Sequence, residues 1–121
     1  MDMQLNLSVM PYEVVRWLVI EYIKHTDDEV FSVLSYATLT KDEMCKIGSI
    51  VKTSLINEVQ DCKSTTELNA ILGRTTVHFP GMMQLGWYVC EWWKRQLNLH
   101  DIETLKNLYD MPDNLIEQIK M

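Results

Sequence analysis

VHFPGMMQLGWYVCEWWKR, from Val77 to Arg95, is the most apolar part of this sequence, and it holds three of the four Trp. A Pro and two Gly sit in its first half. How it is read decides between a membrane span, a plain core helix and one wall of a binding groove. A span needs about twenty mainly apolar residues. Here the run extends only from Met82 to Trp93 before Lys94 and Arg95, and Gln84 and Glu91 interrupt it. The length argues against a stable membrane span, although the Trp-Trp-Lys-Arg edge resembles an interfacial belt. A helix apolar nearly all round is usually the buried centre of a helical protein. Pro80 is expected to start this helix, which runs to about Leu97. Gly86 either lets a neighbouring helix approach closely or is tolerated packing.

Helical signals also dominate on both sides of this stretch. Pro11 suits a first helical position. After it, Val14, Leu18 and Tyr22 share a face, with Val15, Val19 and Ile23 beside them, so PYEVVRWLVIEYIKH reads as an amphipathic helix. Three capping boxes follow, each before an apolar run: Thr26 with Glu29, Thr40 with Glu43, and Ser64 with Glu67. In such a box a hydroxyl and a carboxylate satisfy two backbone N–H groups that the helix leaves unpaired. Gly73 fits a stop after Leu72. Asn98 and Asp101 offer caps for HDIETLKNLYD, and Pro112 opens PDNLIEQIKM. No sustained period-two alternation or hairpin signal occurs. The expectation is one all-α domain over 1–121 with six or seven short helices.

Composition narrows the function classes. Of 121 residues, 47% are hydrophobic and 23% charged, as in a globular protein rather than a disordered one. A net charge of −6 argues against nucleic-acid binding. Cys45, Cys62 and Cys90 match no metal or redox spacing and read as free thiols in a reducing compartment. His25, His78 and His100 lie far apart, so no metal site is expected. The acidic residues fall mostly in first helical turns, where the helix dipole favours them. No nucleotide-binding loop or activated nucleophile is present, so neither an enzyme nor a cofactor is expected. The N-terminus lacks a basic region before an apolar run, so no signal peptide is expected. No anchor is expected at the C-terminus. The eight Met include Met44, Met82 and Met83 at apolar helix positions. Such residues fill cores and also line adaptable surfaces that receive helices.

The order of these elements resembles the Bcl-2 family of apoptosis regulators. PYEVVRWLVIEYIKH is similar to the family's first helix. MCKIGSIV, from Met44, is similar to its third homology segment, with an apolar residue four before a small Gly. LNAILGRTTVHFPGMMQLGWYVC resembles the fourth helix, connecting turn and central hydrophobic helix. The family's Asn-Trp-Gly-Arg motif falls on His78, Phe79, Pro80 and Gly81. The degenerate motif, short chain and lack of an anchor look most like a virus-encoded member.

The resemblance implies a helical bundle around a central hydrophobic helix, with a surface groove that sequesters amphipathic death-motif helices of pro-apoptotic host proteins. One wall would be Met44, Ile47, Ile50, Val51 and Leu55. Floor and second wall would be Leu68, Ile71, Leu72, Phe79, Gly81, Met82 and Met83. The family's arginine, which pairs with an aspartate of the bound helix, is replaced here by Gly81, and Arg74 is the nearby substitute. The implied site of action is the host cytoplasm, reaching the mitochondrial surface through partners. An exposed groove also invites a homodimer. Two alternatives stay open: a viral adaptor on the same fold that binds immune-signalling proteins through an outer face, and a short membrane-associated helical protein.

Overall fold

Val14, Val15, Leu18, Val19, Tyr22 and Ile23 form a continuous apolar stripe, and all six are buried on the first helix, α1 (Tyr12–His25). The structure, a computed structural model, describes residues 7, 10–31, 40–74, 84–109 and 111. A 3₁₀ turn (Asp28–Phe31) follows α1, then α2 (Lys41–Asp61), α3 (Thr65–Leu72), α4 (Leu85–Leu99) and α5 (Ile102–Tyr109). The chain is all-α, with no strand among the described residues. The apolar run 32–37 and the final run from Pro112 lie outside those residues.

Helix α1 packs against α2, α3 and α4, and α4 packs against α1, α3 and α5. The six buried side chains of α1 each remove roughly 1.5–3 kcal/mol worth of apolar surface from water, before chain entropy is subtracted. Leu55 and Val59 of α2, Leu68 and Ile71 of α3, Leu85, Val89 and Trp93 of α4, and Leu105 of α5 complete one connected core. The expectation that the Trp-rich helix is buried nearly all round is corrected. Only Leu85, Val89 and Trp93 are buried on α4, one residue per turn. Trp87 lies on the opposite side and is 45% exposed. High apolar content gives α4 one buried face and a rim, not a sheath of core contacts.

Polar ends explain where the helices begin. Thr40 and Glu43 form the expected box: Glu43 N–H donates to Thr40 Oγ1 at 3.2 Å, and Thr40 N–H donates to Glu43 Oε1 at 3.1 Å. Ser64 accepts from Glu67 N–H at 3.2 Å, while the Glu67 carboxylate reaches Lys63 N–H instead, at 2.8 Å. Asp101 Oδ1 accepts from Thr104 N–H at 2.8 Å and caps α5. Asn98, the other expected cap, lies within α4. Gly73 ends α3 as expected, in a right-handed conformation that any residue adopts.

Three expected boundaries are corrected. Pro11 is the N-cap of α1 rather than its first residue, and its carbonyl accepts from Val14 and Val15 N–H. Thr26 ends α1 rather than starting the next helix. Its hydroxyl donates back to Tyr22 O at 2.6 Å, so its oxygen follows a helix instead of preceding one. The helix expected from Pro80 begins at Leu85, because Gln84 is extended (φ −66°, ψ 152°). Leu85 N–H is spent outside the helix, donating to Arg74 O at 2.7 Å.

Candidate functional site

The residues expected to form a groove divide into four groups. Leu55, Leu68, Ile71 and Leu72 are buried among the chain's own side chains. Met44, Ile47 and Val51 are half-buried on α2. Ile50 is 72% exposed. Its helical angle sets it about half a turn away from Leu55 and Val59, on the solvent side of α2. Phe79, Gly81, Met82 and Met83 lie outside the described residues, and so does His78.

Arg74 has a defined place immediately after α3. Its N–H donates to Ile71 O at 3.0 Å and its carbonyl accepts from Leu85, so its backbone is held on both sides. Its guanidinium Nη1 lies 2.8 Å from Glu58 Oε2 on α2. The two side chains are 54% and 42% exposed, so this ion pair contributes little to stability. The pair lines a shallow concavity of about 400 Å³ together with Asp61, Cys62, Glu67, Ala70 and Ile71.

Gly86 sits in the first turn of α4 against Leu72. A Cβ added there would lie 3.5 Å from Leu72 Cβ and from Leu72 O, an ordinary contact. The end of α3 therefore rests on the start of α4 without needing the glycine.

An aromatic junction that periodicity did not reveal ties α1, α4 and α5 together. Trp93 packs on Trp17 at 5.5 Å and on Tyr109 at 5.4 Å between ring centres. Trp92 meets Tyr22 edge-on at 5.9 Å and Tyr109 at 5.6 Å. His25 lies parallel to Trp92, 6.2 Å away, and its Nε2 is 3.4 Å from Glu21 Oε2. Tyr109 donates its hydroxyl to Gln96 Oε1 at 2.7 Å; burial, then the charge of Glu21, pushes its phenol above the ordinary value. The adjacent WW pair was the available signal: neighbouring helical positions differ by about 100°, so one ring enters the core and the next bridges to a flanking helix.

Two basic side chains elsewhere have structural partners. Lys52 donates to Thr26 O at 2.6 Å and to Asp28 Oδ1 at 3.0 Å, joining α2 to the end of α1. Arg16 donates to Cys62 O at 3.1 Å and lies over the Tyr12 ring. None of Cys45, Cys62 and Cys90 forms a disulfide. Burial pushes the Cys62 and Cys90 thiols up, which keeps them protonated and poorly nucleophilic at neutral pH. Among the described residues, no group of His, Cys, Asp and Glu is arranged to hold a metal ion. No described helix is long and apolar enough to cross a membrane.

No protein-family model, curated protein or solved structure matches this chain.

Proposed function

We propose that this chain is a non-enzymatic, virus-encoded Bcl-2-like inhibitor of apoptosis. It sequesters amphipathic death-motif helices of pro-apoptotic host proteins in an apolar groove, in the host cytoplasm and at the mitochondrial surface. The observation that carries this reading is the sequence of elements from α2 to α4. Helix α2 leaves Met44, Ile47 and Val51 half covered; the exposed Arg74 follows α3; and in the sequence the apolar stretch 77–83 precedes α4. An amphipathic helix docks on such a surface through anchors spaced i, i+3 or i+4 and i+7. The all-α fold is consistent with a Bcl-2-like bundle. Titration with peptides from pro-apoptotic proteins tests the reading. Binding at ~10 μM or tighter, about −7 kcal/mol, is expected, and no binding by any peptide at that level rejects it.

A second reading is favoured by a different observation. Leu55, Leu68, Ile71 and Leu72 are already covered, as in a bundle whose groove is filled. The chain would then be an adaptor that binds immune-signalling proteins through an outer face, where Ile50 and Trp87 are exposed. Gly81→Arg separates the two. It blocks a groove binder and leaves an outer-face adaptor intact. A homodimer through the groove would dissociate on adding a groove-binding peptide.

A further inference from the structure

We propose that Glu58 is an internal competitor for Arg74, holding the guanidinium that an acidic side chain of a bound helix would otherwise take. This inference rests on the groove reading above and deepens it. Arg74 Nη1 is 2.8 Å from Glu58 Oε2, within the distance of a charge-assisted hydrogen bond. Both side chains remain about half exposed, so the pair can exchange one carboxylate for another. The Arg74 backbone is held by Ile71 O and Leu85 N–H, so the guanidinium swings from a fixed Cα beside Glu58. Asp61 and Glu67 line the same concavity. An incoming carboxylate thus has to displace Glu58 and also meets two further negative charges. The arrangement favours partners that bind through apolar anchors and leave the Arg74–Glu58 pair intact.

The test is calorimetric titration of the wild-type chain, Glu58→Gln and Arg74→Ala with pro-apoptotic peptides and with versions whose anchor-face Asp is replaced by Asn. The exposed position of the pair allows the fold to survive these changes, which far-ultraviolet dichroism verifies. Glu58→Gln is expected to tighten the Asp peptides by about two- to fivefold, the scale of an exposed ion pair, and to leave the Asn versions unchanged. Arg74→Ala should erase the difference between Asp and Asn peptides. Wild-type binding that Glu58→Gln leaves unchanged, weakens, or tightens equally for both peptide forms overturns the inference while the groove reading stands. Absence of binding by both wild type and Glu58→Gln overturns both.

Discussion

The indole of Trp93 donates from Nε1 to the backbone carbonyl of Leu18 at 2.8 Å, and both residues are buried. One side chain of α4 is thereby bonded to the middle of α1, seventy-five residues earlier. Trp93→Phe removes this donor and part of the ring volume between Trp17 and Tyr109. The loss is expected to be about 2–4 kcal/mol, the sum of a missing hydrogen bond and a partly unfilled space. Urea unfolding followed by dichroism measures it.

Gly86→Ala is expected to stabilise the chain by about 0.5–1 kcal/mol. Alanine favours a helix over glycine by this amount, and the new Cβ meets Leu72 at an ordinary distance. Gly86→Leu has the opposite sign, since its further atoms would enter the space of Leu72, at a cost of about 1–3 kcal/mol. A pair of thermal unfolding curves distinguishes the two signs.

Lys52 holds two acceptors on the segment that follows α1. Lys52→Met keeps the aliphatic stem and removes both bonds. The Lys52 side chain is only 16% exposed, but Asp28 is 42% exposed and its share is screened by solvent. The expected loss is about 1–2 kcal/mol. Hydrogen exchange should show faster opening at residues 26–31 than in α1.

Acid should loosen two helix starts. Hydrogen bonds from Thr40 hold the Glu43 carboxyl below its ordinary 4.5, and those from Thr104 hold Asp101 below 3.8. A carboxyl whose folded value is depressed binds its proton more readily in the unfolded chain. Its stabilising effect is complete above the unfolded value and disappears as pH falls through the folded one. Glu43→Ala and Asp101→Ala are expected to lower the urea midpoint at pH 6, and the deficit should shrink below about pH 4. Equal deficits at pH 6 and pH 2.5 would contradict this assignment.

What was legible in the sequence depended on how local its cause was. The α1 stripe could be read completely, because one helix period decides all six positions. The Thr40–Glu43 box is equally local. Thr26 and Glu29 have the same spacing, yet Thr26 turns back to Tyr22; the spacing does not say on which side of the hydroxyl the helix lies. Trp87, Trp92 and Trp93 count equally toward apolar content, but only Trp93 is buried, because the direction of α4 relative to α1 decides that. For the candidate site, the sequence offers Arg74 only as a possible substitute for a missing arginine. The pairing of Arg74 with Glu58 depends on two helices meeting sixteen residues apart, which no local pattern encodes.

The hydrogen bond from Leu85 N–H to Arg74 O has a consequence for how this chain can change. It joins the two ends of the segment between α3 and α4, while Leu72 and Gly86 hold the helices themselves in register. Once the ends are joined, doubling the length between them costs only about 0.6 kcal/mol. Arg74 and Leu85 therefore act as a fixed pair of anchor points, which a connection of another length would leave in place with Leu72 and Gly86 still in contact.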